Sequence, residues 1–169
     1  MKPIPMLIFL FLLTACGNAQ MDKPPLMFRY ETLMDTVMTD KVVKTDAEWR
    51  AVLTPEQYKI LRGKGTEFPF RGEYNKTKTE GIYTCAGCGN PLFHSSTKYD
   101  SGSGWPSFWQ PIRSESIKEV PDNSYFMSRI EVVCARCEGH LGHVFDDGPK
   151  PTGLRYCLNS PALKLVEKP

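Results

Sequence analysis

Two Cys-x-x-Cys pairs, Cys85-Ala86-Gly87-Cys88 and Cys134-Ala135-Arg136-Cys137, constrain this chain more than any other feature. A two-residue spacer lets both sulfurs of a pair face one ion, and four thiolates complete a tetrahedral zinc shell. Such a tie joins segments far apart in sequence, so the chain between them must loop out and return. A shell of four cysteines leaves no position for water or substrate, which makes the expected Zn2+, one per chain, structural. Disulfides are the competing expectation for a chain that opens with an export signal. A local site of two cysteines and two histidines, from Cys134, Cys137, His140 and His143, is a further alternative. It strands Cys85 and Cys88, and its two-residue spacing between histidines is short for such a site.

The export signal is the opening MKPIPMLIFLFLLTACGNAQ. Lys2 precedes an apolar run over residues 4 to 13, too short to cross a bilayer but sized for a signal-peptide core. Leu13-Thr14-Ala15-Cys16 resembles the lipobox of bacterial lipoproteins, so a leader is expected over residues 1 to 15 with Cys16 lipidated; plain secretion with an incidental Cys16 is the alternative. The expected location is outside the cytoplasm, on a membrane by its lipid anchor, facing the periplasm or the cell exterior. Residues 16 to 44 carry Pro24-Pro25 and scattered methionines without clear periodicity and read as a flexible tether. The remaining 45 to 169 suit one domain, since 41% apolar content in 169 residues supports a single core. A formal charge of +2, with no block of like charge, argues against a nucleic-acid partner.

Inside the domain, Thr45 with Glu48 and Thr54 with Gln57 are capping-box patterns, the second with Pro55 at the first helical position. They predict two short helices, the second stopping at Gly63. The stretches GIYTC (81 to 85), NSYFMSRIEVVC (123 to 134) and LRYCLNS (154 to 160) predict strands, being β-branched or aromatic and bounded by turn residues. No helical pattern of 10 to 15 residues separates them. The expected fold is therefore mainly β (α+β), an antiparallel arrangement with short N-terminal helices.

Lipid and zinc account for five of six cysteines and leave Cys157. In a strand, Arg155, Cys157 and Asn159 share a face, and a guanidinium beside a thiol favours the nucleophilic thiolate. An inert buried cysteine at a wet sheet edge fits a lone cysteine equally well. Two of the three histidines, His140 and His143, stand in HLGHVFDDGP and can supply a general acid near neutral pH. The stretch SGSGWPSFWQ sets Trp105 on a glycine-hinged aromatic shelf. Together these favour a nucleophilic site.

GWPSF, the two Cys-x-x-Cys pairs, HLGHVFDDGPKPTG and RYCLNS together resemble the B-type methionine sulfoxide reductases, which act on the R epimer. The resemblance runs over about residues 49 to 165. It implies two antiparallel sheets, a β-tent, with a structural zinc site of four cysteines. It implies Cys157 as the nucleophile that attacks the sulfoxide sulfur and becomes a sulfenic acid. It implies Trp105 against the ε-methyl group of the substrate, Phe145 as apolar wall, and His140, His143, Asp147, Arg155 and Asn159 as groups that order water, protonate the sulfoxide oxygen and stabilise the thiolate. The implied partners are oxidised proteins and a thioredoxin-like or small-thiol reductant. Many relatives carry a resolving cysteine where this chain has Ser103, so an external thiol is expected to reduce Cys157 directly. A zinc module that binds oxidised proteins without turnover is the rival reading, and a zinc-ribbon nucleic-acid binder is a third.

Overall fold

The computed structural model describes residues 26–36, 38–124 and 127–169. Three helices precede nine strands: α1 (Leu26–Asp35), α2 (Asp46–Val52), α3 (Pro55–Leu61), β1 (Gly81–Cys85), β2 (Pro91–His94), β3 (Lys98–Tyr99), β4 (Ser107–Phe108), β5 (Ile117–Asp122), β6 (Arg129–Cys134), β7 (His140–Phe145), β8 (Arg155–Leu158) and β9 (Leu163–Glu167). The strands form a three-stranded sheet in the order β2-β1-β9 and a six-stranded sheet in the order β3-β4-β8-β7-β6-β5. Every pairing is antiparallel. The mainly-β expectation holds, in two sheets.

Both predicted capping boxes form. Glu48 N donates to the Thr45 hydroxyl at 3.3 Å, while Glu48 Oε2 accepts the Thr45 N–H at 2.7 Å. Thr54 and Gln57 repeat the exchange at 3.1 and 3.2 Å. These caps satisfy N–H groups that helices of only seven residues have few other means to satisfy.

Alternation along the strands divides the core. On β1, Tyr83 turns inward and meets Phe108 of the larger sheet edge to face at 5.0 Å; the Phe93 ring lies tilted against Phe108 at 4.7 Å and against Tyr156 at 5.5 Å. Burying each of these rings contributes about 1.5–3 kcal/mol. Ile82 and Val166 point the other way, and Tyr30 and Leu33 of α1 cover them. The reading of residues 16 to 44 as a tether is thus corrected from Leu26 onward. His94 Nδ1 accepts from Ser96 N, so its Nε2 donates to the Tyr30 hydroxyl at 2.8 Å, and Arg113 donates to the carbonyls of Met34 and Thr36 at the helix end. The helix escaped the sequence reading because it has no acid in its first turn and no base in its last. The leader, Cys16 and the stretch up to residue 25 lie outside the described residues.

The strand expected over 123 to 134 begins only at Arg129, because Asp122 Oδ1 caps Ser124 N at 3.0 Å and turns the chain there. The preceding stretch IKEVPD pairs with it as β5. Its Pro121 is tolerated because β5 is an edge strand.

Candidate active site and metal centre

The sulfurs of Cys85, Cys88, Cys134 and Cys137 all lie within 4.8 Å of one another. Cys85 and Cys137 approach to 3.6 Å, as do Cys88 and Cys134. A disulfide needs about 2.05 Å, whereas a tetrahedron with Zn–S bonds of about 2.3 Å has edges of roughly 3.8 Å. The spacing therefore fits four thiolates around a zinc-sized ion and excludes disulfides. The thiols of Cys85 and Cys88 are pushed up, chiefly by hydrogen bonding to Cys134, while Cys134, which accepts from its neighbours, is pushed down. Four thiolates in that space require a cation among them. The alternative that draws on His140 and His143 fails, because both histidines are otherwise engaged.

Local packing explains how the pairs meet. The Cys88 carbonyl accepts from Arg136 Nη1 at 2.8 Å, and Asn90 Nδ2 reaches Cys134 Sγ at 3.6 Å and the Ser116 carbonyl at 2.9 Å. α2 and α3 close over the pairs: a Cβ on Gly139 would come within 2.9 Å of Leu61, and one on Gly87 within 3.5 Å of Trp49 and Leu61.

Cys157 lies in β8 between two strands, opposite Ser107 of β4 and His143 of β7. Burial alternates along β8, with Tyr156 and Leu158 in the core and Arg155 and Cys157 on the half-open face. β7 and β8 approach so closely that a Cβ on Gly142 would fall 2.0 Å from the Cys157 carbonyl oxygen, so only glycine fits there. Ser103 Oγ stands 3.7 Å from Cys157 Sγ, and Ser101 links Ser103 and Ser107 at 2.8 and 2.7 Å. The Ser103 and Ser107 hydroxyls thus face the thiol, and Ser101 ties the two together.

Burial pushes the Cys157 thiol up; the Ser103 hydroxyl and then the Arg155 guanidinium oppose that rise without cancelling it. Arg155 makes a two-pronged contact with Asp147 at 2.7 and 2.8 Å and lies over the Phe145 ring at 4.3 Å. The guanidinium holds the Asp147 carboxyl below its ordinary range. Asp147 therefore aims Arg155 and has no proton to give near neutral pH.

His143 donates from Nε2 to Asp122 Oδ2 at 2.8 Å, and Arg129 reaches the same oxygen at 2.8 Å. Donors from Ser124, then His143, hold the Asp122 carboxyl far below its ordinary range. His140, 3% exposed, engages Glu131 Oε1 through Nδ1 at 2.8 Å, and Lys64 meets Glu131 Oε2 at 2.8 Å. Burial pushes the Glu131 carboxyl up, but Lys64 and His140 outweigh it and keep the group ionised. Burial also lowers the His140 pKa, so its ring is neutral with the proton on Nδ1. Its buried Nε2 has no hydrogen-bond partner among the described residues. The two rings meet edge on at 5.4 Å.

Trp105 donates from Nε1 to the Glu67 carbonyl at 3.2 Å, which fixes the shelf against the loop after α3. Asn159, 2% exposed, spends its amide on backbone: Oδ1 accepts from Glu67 N at 3.0 Å and Nδ2 donates to the Leu141 carbonyl at 3.0 Å. It pins that loop to β7.

The structure thus gathers Cys157, Arg155, Asp147, Phe145 and His143 around one face, with His140 beside His143 and with Trp105 and Asn159 joined through Glu67. Glu131, Asp122, Lys64, Glu67 and the serines 101 and 107 escaped the sequence reading. For Glu131 a signal existed: an acid inside RIEVVC, at 4% exposure, needs a partner.

The SelR domain family matches residues 53–167, which contain every residue of both sites. The chain belongs to the SelR family. A relative from Hahella chejuensis, named peptide methionine sulfoxide reductase MsrB, is 61% identical over 125 residues, covering 74% of this chain and 90% of that one. Proteins of the same name from Methanosarcina mazei and Pseudomonas savastanoi are 60% and 59% identical over 129 residues, each covering 76% of this chain and 92% and 98% of theirs.

The raised thiol of this SelR domain carries a testable consequence. Cys157 is protonated at neutral pH, so its alkylation by iodoacetamide should accelerate about tenfold per pH unit from pH 7 to 9 without a plateau. Arg155→Met, which removes the favourable charge, should slow it several-fold at pH 8, read at the Cys157 peptide by mass spectrometry. A plateau below pH 8 would show a thiolate already formed.

Proposed function

We propose that this SelR domain reduces methionine sulfoxide in proteins, taking the R epimer, with Cys157 as nucleophile. The observation that carries this reading is the half-buried thiol set between Ser107 and His143, beside Arg155, within a domain whose Trp105 ring is bonded into place. The activity for which the relatives are named supports the same reaction.

As the Cys157 thiol gives up its proton and its sulfur attacks the sulfoxide sulfur, the leaving oxygen takes up a proton. Asp122 and Glu131 fix the His143 and His140 rings, and the unprotonated Nε2 of His140 can accept from, and so order, a water on the path of that proton. Overall the sulfoxide oxygen passes to Cys157, which becomes a sulfenic acid as the methionine sulfur is reduced by two electrons. Trp105 takes the ε-methyl group and Phe145 adds apolar wall. With methyl and thiolate both fixed, one epimer directs its oxygen to the donors.

Four of the five described cysteines form the metal cluster, so Cys157 has no thiol to pair with among them. A thioredoxin-like or small external thiol attacks the sulfenic acid, releasing water and forming a mixed disulfide, and a second thiol frees Cys157. Ser103→Cys, at a position already 3.7 Å from the thiol, should yield an intramolecular disulfide after one turnover. Intact mass would fall by two hydrogens. A trapped sulfenic acid in that variant would count against this geometry.

The cysteine cluster fits structural Zn2+, one per chain. The leader over residues 1 to 15, lipid on Cys16, and placement on a membrane facing the periplasm or the exterior complete the proposal, with damaged envelope proteins as substrates. The deciding test is a single turnover on each epimer of a methionine sulfoxide peptide without reductant. One methionine per chain from the R epimer alone supports the reading. Binding without any methionine would favour the non-catalytic module.

A further inference from the structure

Two phenylalanines stand exposed together in the loop after α3: Phe68 at 83% and Phe70 at 64%. Their loop is held in place from several sides. The Glu67 carbonyl takes the Trp105 indole N–H, Glu67 N donates to Asn159, Glu67 Oε1 accepts from Ser160 N at 2.5 Å, and Phe70 N donates to the Gly104 carbonyl at 2.7 Å. Phe70 adopts φ +63°, a left-handed conformation uncommon for a bulky side chain. A Cβ on Gly104 would lie 2.8 Å from Pro69 and 3.0 Å from the Phe70 ring, so that ring abuts the residue preceding Trp105. A fixed, strained loop that presents two aromatic rings to water beside a substrate shelf has a role other than filling a core.

We propose that Phe68 and Phe70 form a subsite for an apolar side chain flanking the methionine sulfoxide in an extended polypeptide. This rests on the reductase reading, which seats the sulfoxide between Trp105 and Cys157. The aromatic surface is continuous with the Trp105 shelf through Gly104, so residues neighbouring the sulfoxide, spaced about 3.3 Å apart when extended, pass over it. Phe68-Pro69-Phe70 carries no charge, which selects an apolar neighbour over a charged or strongly polar one. The subsite therefore prefers methionines from hydrophobic segments, exposed when a protein is unfolded.

The test compares two R-sulfoxide peptides, one with leucine and one with serine on both sides, using the full chain with its metal and a chemical dithiol. Wild-type kcat/KM should favour the leucine peptide about tenfold, mainly through KM. Phe68→Ser should bring the ratio near one, and so should Phe70→Asn, since asparagine tolerates the left-handed backbone. A wild-type ratio near one, a ratio unmoved in both variants, or equal losses on both peptides would overturn the subsite; equal losses would reduce the loop to a support for Trp105. Self-association, or binding to anionic lipid vesicles, that is lost in Phe68→Ser while the peptide ratio stays fixed would reassign the surface and overturn it too. The same peptides titrated onto Cys157→Ser by tryptophan fluorescence separate the two readings. A tenfold binding preference without wild-type turnover sustains the subsite and sinks the reductase; turnover without preference does the reverse.

Discussion

Cys157→Ser should lower sulfoxide reduction at least about 10^4-fold, the scale on which loss of a covalent nucleophile is felt. No other described side chain can take its place: Ser103 and Ser107 offer hydroxyls that are poor nucleophiles without a bonded base, and the remaining cysteines form the metal cluster. The fold should survive, because the thiol is only half-buried and the serine hydroxyl finds Ser103 within reach. A melting temperature within a few degrees of wild type, with peptide binding retained and no methionine formed, is the expected result. Retained turnover in this variant would place the chemistry elsewhere. A collapse in melting temperature would assign Cys157 a structural role.

The sequence made Cys157 legible by subtraction, once four cysteines went to a metal and one to a lipid. The strand period then placed Arg155 beside it, and alternation along β8 agrees. The capping boxes were equally readable, since a capped helix is specified by four consecutive residues. What could not be read was anything created by closing one strand on another. Asp122 serves His143 only because the β5–β6 hairpin carries it there, and Glu131 serves His140 only because β6 lies beside β7. Asn159 shows the limit from the other side. Its place on the strand suggested a group facing the thiol, yet its amide is spent on the Glu67 and Leu141 backbone, so its influence on the site passes through the loop that holds Trp105. α1 failed for a different reason: its two inward residues, Tyr30 and Leu33, become apolar contacts only against a sheet formed much later in the chain.

The largest effect on stability should come from the metal centre. Structural zinc sites contribute about 10–16 kcal/mol of apparent binding free energy, against a total folding stability of about 5–15 kcal/mol for a domain. Stripping the ion, or breaking its shell by Cys134→Ser, therefore removes as much as the fold possesses. The location makes the loss general rather than local. Cys85 ends β1 of the small sheet and Cys134 ends β6 of the large one, so an ion held by the four cysteines would tie the two sheets together where Trp49 and Leu61 pack down on them. Without it, the four thiols crowd within 4.8 Å with no cation to hold their charge, and the surrounding apolar contacts have no reason to keep them there. The expected result is one zinc released per chain by a thiol-reactive mercurial, four thiols titrated with it, and loss of far-UV and near-UV dichroism together at 37 °C. Cys134→Ser should fail to accumulate as folded protein. Cys88→Ser, at the half-buried corner, should instead bind zinc more weakly and unfold at a lower temperature, with the deficit shrinking as zinc is added. A chelated protein with an unchanged melting temperature would show that the sheets hold together through their aromatic core alone.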